Sequence, residues 1–183
     1  MVYISIAQRT LGDITKSSQI ILEGLKLTER HSMMELKGSL LAQLGVNYSE
    51  SGDYQKSLEL YKRAKEIFDN ENLKDDGYHR ELSAWMEETI GSAYFNLRQI
   101  DSANYYCRLS YSHSADLNAS WVQYLCLNLF GEMERSKKNL ERSLYYYRLS
   151  LPVAVDAHFI YLAYNNMAMV FRQMDNKDSS IYF

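Results

Sequence analysis

The sequence predicts an all-α chain of stacked antiparallel helix pairs, and three observations carry the prediction. Small residues recur at long, similar intervals: Ser5, Gly45, Gly91, Gly131 and Ala168 are separated by steps of 40, 46, 40 and 37. Each is followed, at one constant offset, by a second small residue: Ser17, Ser57, Ala103, Ser143 and Ser180 in turn. Between them, large apolar residues return at the three-and-four spacing of amphipathic helices. A small residue on each of two helices lets their backbones approach, so the matched offsets read as the seams of successive helical hairpins.

Taken in order, the first pair is short at its front, with Val2 to Arg9 ending a helix, Leu11-Gly12-Asp13 as the turn and Ile14 to Arg30 as the second helix. The next pair runs from about Met33 to Glu50 and from Tyr54 to about Phe68, joined by the matching Gly52-Asp53 turn. The polar run Asn70 to His79 reads as a loop. A third pair covers about Tyr78 to Leu97 and Asp101 to Ser114, with Asp101-Ser102 as the expected N-cap. The fourth covers about Ser120 to Arg135 and Lys138 to Leu151, and stops at Pro152, the one proline. The fifth starts near His158 and its second helix, Asp178 to Phe183, copies Asp101 to Tyr106. The expected repeats are thus 1–31, 32–76, 77–117, 118–156 and 157–183, about 4 to 5 in a single domain, both terminal ones incomplete. Ends cut within a repeat, without a polar cap at Ile181-Tyr182-Phe183, suggest an excerpt of a longer protein.

The second pair carries the sharpest motif, LAQLGVNYSESGDYQKSLELYKRA from Leu41 to Ala64. Its Leu44-Gly45, Tyr48, Ser57, Tyr61 and Ala64 resemble the tetratricopeptide repeat (TPR). That resemblance implies a right-handed α-solenoid whose first helices line a concave groove for a protein or peptide. The Tyr-rich helices, the repeats longer than the usual TPR length, and the motifs Asp101-Ser102-Ala103 and Asp178-Ser179-Ser180 look like the repeat regions of bacterial histidine kinases or helix-turn-helix regulators. The implied function is a non-catalytic binding solenoid, a sensory or scaffolding segment in signal transduction. Two alternatives are a peptide-gated receptor resembling quorum-sensing TPR proteins and a module that self-associates through uncapped ends.

Large residues opposite the seams should be interior: Leu60, Tyr106, Tyr146 and Phe183 in one column, Tyr61, Cys107 and Tyr147 in the next. Successive helical residues diverge by about 100°, so the run Tyr145-Tyr146-Tyr147 cannot all face inward. Tyr145 is expected outside, aligned with Glu59, Tyr105 and Tyr182 as an outer-face column.

A formal charge of -3 gives no basic footprint, which argues against direct nucleic-acid binding. No apolar run approaches the roughly 20 residues of a membrane span, no export signal stands at the start, and a cytoplasmic location is expected. Cys107 and Cys126 lack metal or redox spacing and read as core thiols. His31, His79, His113 and His158 are too scattered for a metal helix and read as loop or solvated residues. Glu87-Glu88 reads as a solvated helix face, and Arg135, Lys137, Lys138 and Arg142 as a turn balanced by Glu132, Glu134 and Glu141. Asn47-Tyr48-Ser49 and Asn118-Ala119-Ser120 match the glycosylation triplet without further support. No catalytic, metal or cofactor constellation emerges, so no enzyme activity and no cofactor are expected.

Carrying the TPR groove over by the alignment places its lining at Ser39, Gln43 and Ser49; Trp85, Glu88, Ser92 and Asn96; Asn128, Glu132 and Arg135; and Asn165, Asn166, Met169 and Arg172. Asn amides can serve both the N–H and the C=O of an extended peptide, while Trp85 and Met169 offer apolar anchors.

Overall fold

A computed structural model describes residues 1–31, 33–70 and 77–174. Within them the elements are all helical: α1 (Val2–Thr10), α2 (Ile14–His31), α3 (Met34–Glu50), α4 (Tyr54–Phe68), α5 (Gly77–Asn96), α6 (Ile100–Asp116), α7 (Ser120–Ser136), α8 (Leu140–Ser150) and α9 (Ala157–Gln173), with a short 3-10 turn at Leu151–Val153. The chain is an α-solenoid of antiparallel pairs: α1 packs on α2, α3 on α4, α5 on α6 and α7 on α8, and each second helix leans on the first helix of the next pair. Its apolar interior is strung along the axis in three clusters rather than gathered at one centre. The second helix read at Asp178 to Phe183, with Ser180, Tyr182 and Phe183, lies outside the described residues.

The seams are where the small residues predicted them. Ser5, Gly45, Gly91 and Gly131 are buried, as are Ser17, Ser57, Ala103 and Ser143 on the facing helices, whereas Ala168 of α9 is half-buried and its expected partner lies outside the described residues. A Cβ at Gly45 would lie 2.6 Å from the Tyr61 ring and one at Gly131 2.5 Å from the Tyr147 ring, so each glycine is the socket for an aromatic of the facing helix. In the third pair Cys107 takes the ring's place. There the helices close until a Cβ at Gly91 would meet backbone, 3.2 Å from Ala103 O and Cys107 N. Tyr61, Cys107 and Tyr147 are buried as expected, but among the described residues of the neighbouring column only Leu60 is; Tyr106 and Tyr146 are half-buried. They lie over Tyr94 and Phe130, with centroids 5.5 and 5.3 Å apart, and each meets exposed Tyr105 or Tyr145 edge-on, which sets it at the rim of its seam. Tyr105 and Tyr145 are exposed at 62% and 57%, the outer-face position expected of them.

One turn design closes the first helix of each of the first four pairs. At a fixed distance beyond the seam, Gly12, Gly52, Arg98 and Lys138 all take positive φ, at 86°, 82°, 62° and 62°. Each time the amide of that residue and the one after it turn back onto the helix, as in Gly52 N–H to Ser49 O (3.0 Å) and Asp53 N–H to Tyr48 O (2.9 Å). Arg98 and Lys138 hold the left-handed shape without glycine, at roughly 1 kcal/mol each. Asp13 and Asp53 then cap the following helices by accepting from Lys16 N–H and Lys56 N–H. In the third pair the cap position falls to Gln99, so the expected Asp101-Ser102 cap is displaced: Asp101 lies in the first turn, where its charge suits the helix dipole. The loop expected through His79 also ends sooner, because Gly77, Tyr78 and His79 already form the first turn of α5, and His79 is buried with Nε2 3.7 Å from Glu35.

Candidate functional site

The first helices form the inner layer. Among the described residues α1 touches α3, α5 touches α7 and α7 touches α9, whereas α3 and α5, and consecutive second helices, do not approach as closely. In a curved stack the closely spaced layer is the concave one. The side chains on that layer fall into columns: three before the seam residue, Ala42, Glu88, Asn128 and Asn165; one after it, Val46, Ser92, Glu132 and Met169; four after it, Arg9, Ser49, Phe95, Arg135 and Arg172.

The residues assigned from sequence are placed as follows. Ser39, Gln43, Ser49, Trp85, Ser92, Asn128, Glu132, Arg135, Asn166 and Met169 are half-buried, Asn96, Asn165 and Arg172 are exposed, and Glu88 is buried. Two pairs among them are joined directly. Asn166 Nδ2 donates to Asn128 Oδ1 at 2.9 Å across α9 and α7, and Arg135 bonds Glu132 at 2.6 Å along α7. Glu132 and Arg135 also line a groove of about 600 Å³ with Phe95, Arg98, Lys138 and Gln173. Trp85 meets Trp121 of α7, with centroids 5.8 Å apart, and Trp121 Nε1 points to Glu81 at 3.4 Å. Trp121, Arg9, Phe95, Arg98 and Lys138 were not among the sequence-derived residues. Arg9 and Phe95 stand in a column already used for Ser49 and Arg135, so the signal for them was present. Trp121 lies well ahead of its seam, outside every aligned column.

Several polar atoms on this layer are buried without a hydrogen bond. They are Gln43 Oε1, Arg9 Nε and Arg135 Nε. The two arginines are structural copies, each engaging a glutamate, Glu50 and Glu132, with one terminal nitrogen, and Arg135 also lies against the Tyr147 hydroxyl. Tyr61, beneath Gly45, has its hydroxyl among Ser49, Arg9 and Glu88, and burial pushes its pKa up to about 12.

Glu87 and Glu88 correct the reading of a solvated face. They diverge as adjacent helical residues do, but both are inside, at 1% and 8% exposure. Glu87 turns to the second helices, where Lys65 Nζ lies 3.2 Å from Oε1 and His113 Nδ1 2.8 Å from Oε2. Lys65 also reaches Asp69 at 2.6 Å, and Ser83 donates to Asp69. His113 is therefore a hydrogen-bond partner of Glu87 and His79 a core residue, while His158 is exposed. Glu88 has no hydrogen bond or ion pair among the described residues, and desolvation alone pushes its pKa up to about 7.

The remaining sequence readings resolve locally. Cys107 and Cys126 are buried free thiols, Cys107 donating toward Cys126 O at 3.4 Å, with burial raising its pKa well above the usual thiol range. The basic turn is balanced as expected: Glu134 takes Lys137 at 3.0 Å and Arg142 at 3.9 Å, and these bonds with Asn139 hold its carboxyl below the usual range despite the opposing effect of its burial. Asn47 is closed to glycosylation, being buried and donating to Ser17 and Ser18 at 2.9 Å. Among the described residues no helix is long and apolar enough to cross a membrane, and no cluster of potential ligands for a metal is present.

Residues 38–71 match the tetratricopeptide repeat family model. No curated protein matches the chain. Solved structures similar to it include BtubC (BKLC) from P. vanneervenii, at 16% identity and TM-score 0.72, covering 97% of this chain and 73% of that one. Kinesin light chain TPR-like repeats from Podosopora anserina align at 9% identity and TM-score 0.67, covering 99% and 88%. MamA aligns at 18% identity and TM-score 0.56, covering 98% and 89%. At these identities the likeness is one of fold.

Proposed function

We propose that this protein of tetratricopeptide-repeat fold is a non-catalytic scaffold that holds an extended peptide segment of a partner along its first helices. The observation that carries the reading is the strip of accessible polar side chains along the first helices, with Gln43, Ser92, Asn128 and Asn166 half-buried and Asn96 exposed. An extended peptide backbone offers alternating C=O and N–H groups, and amide side chains can pair with both kinds. The Asn128–Asn166 pair and exposed Asn165 and Arg172 continue the same polar strip onto α9. We read the chain further as a sensory or scaffolding segment of a bacterial signalling protein in a cytoplasmic setting. The Tyr-rich helices and the Asp101-Ser102-Ala103 motif support that setting.

The test is a dodecapeptide selected from a random display library against the chain, then measured by calorimetry. Asn165→Ala combined with Arg172→Ala should weaken it about tenfold, the loss of two polar contacts at an interface. Both side chains are exposed, so the fold is left intact. Undiminished binding by the double variant would remove the groove assignment.

A further inference from the structure

We infer that the groove carries a seat for a lysine ammonium, built by Glu88 and Glu81 of α5 beside the Trp85–Trp121 pair. This rests on the groove reading above and names the partner chemistry at one point along it. Glu81, Trp85, Glu88 and Ser92 follow one another at helical spacing, so they form a single strip of α5 on the inner layer. Glu88 is more than nine-tenths buried and receives no donor from the described protein. Its counterpart on α7, Asn128, is satisfied by contrast, donating to Tyr124 O and accepting from Asn166.

The titratable groups within electrostatic reach of Glu88 are Tyr61 from α4 and Cys107 from α6, and burial keeps both neutral at pH 7. From α7, packed on the same side, Leu129 approaches the Gly91 seam, and Arg9 near Tyr61 is already engaged with Glu50. No cation of the described chain therefore answers this carboxylate. A buried carboxylate is stable when paired, and an incoming ammonium supplies the pair. The indole faces of Trp85 and Trp121 suit the rest of such a ligand: aromatic faces attract a cation within about 6 Å and cover an apolar stem. Half-buried Glu81, beside Trp121, adds a second negative charge at the rim. An acidic side chain or a phosphate at this point would face two carboxylates and is disfavoured.

The probe is alanyl-lysyl-alanine blocked at both ends, followed by the carboxyl carbon resonance of Glu88 in the full chain. Binding consumes the ionised carboxylate, so the affinity should rise about tenfold from pH 6 to pH 8, as the ionised fraction of a group titrating near pH 7 does. The same peptide with methionine for lysine should leave the resonance unmoved. Glu88→Gln should bind the lysine peptide equally weakly at both pH values. A Glu88 resonance indifferent to the lysine peptide overturns the seat, as does equal binding of the methionine peptide. Stronger response to trialanine with a free amine overturns the lysine assignment in favour of a chain terminus. If the selected dodecapeptide still depends on Asn165 and Arg172 while the lysine peptide is silent, the groove stands and this seat alone falls.

Discussion

Glu88→Gln is expected to stabilise the chain by about 3 kcal/mol above pH 7 and to have almost no effect below pH 4. In the unfolded chain this carboxyl titrates near its ordinary value of 4.5, whereas in the fold burial raises it to about 7. Between those values the unfolded state binds fewer protons, so rising pH favours unfolding and the group's contribution falls until the folded carboxyl has ionised as well. Glutamine keeps the shape of the protonated acid and cannot ionise. Denaturant unfolding across the pH range should show wild-type stability falling between about pH 4.5 and pH 7 relative to the variant. Parallel curves, or a wild type more stable than the variant at pH 8, would show that Glu88 is solvated or already paired. A more stable variant also means that any ligand it fails to bind is lost for chemical reasons rather than through unfolding.

Gly91→Leu should cost about 3 kcal/mol and lower the melting temperature by roughly 10 °C. At Gly45 and Gly131 an added carbon would meet an aromatic ring, a side chain with some room to tilt. At Gly91 it would meet Ala103 O and Cys107 N, both 3.2 Å away, and backbone yields only if the helices separate. Separation of α5 from α6 would open the clusters on both sides of the pair, since Ile90 and Ala93 belong to one and Ala103 and Cys107 to the other. Ser92→Leu, half-buried on the groove one position along, is the control and should stay within about 0.5 kcal/mol. Equal melting of the Gly91 variant and the wild type would contradict the seam.

Much of the architecture was legible because it is written in small residues. Gly45, Gly91 and Gly131 are small since a partner helix leaves no volume for more, and that constraint survives in a single sequence. The closing turns were legible at Gly12 and Gly52, but Arg98 and Lys138 adopt the same left-handed shape with side chains that give no hint of it. The Asp101 cap was misplaced for the same reason: the turn fixes where α6 begins, and Gln99 occupies that point without a capping side-chain bond. Glu87, Glu88 and His79 escaped because sequence tells which residues share a helix face, not which neighbour covers that face. Lys65 and His113 are far from Glu87 along the chain, on opposite sides of it, and meet it only through the stacking of three helices. The same holds for Trp121 over Trp85. The groove columns follow from register, whereas the pairing of charges within them depends on how the layers curve.

The most direct test of a binding scaffold with an inner recognition layer is the map of amide shifts when the selected dodecapeptide binds. The account predicts changes concentrated on α3, α5, α7 and α9, strongest around Gln43, Glu88, Asn128 and Arg135. Changes gathered instead on α6 and α8, around exposed Tyr105 and Tyr145, would place recognition on the outer layer and contradict it.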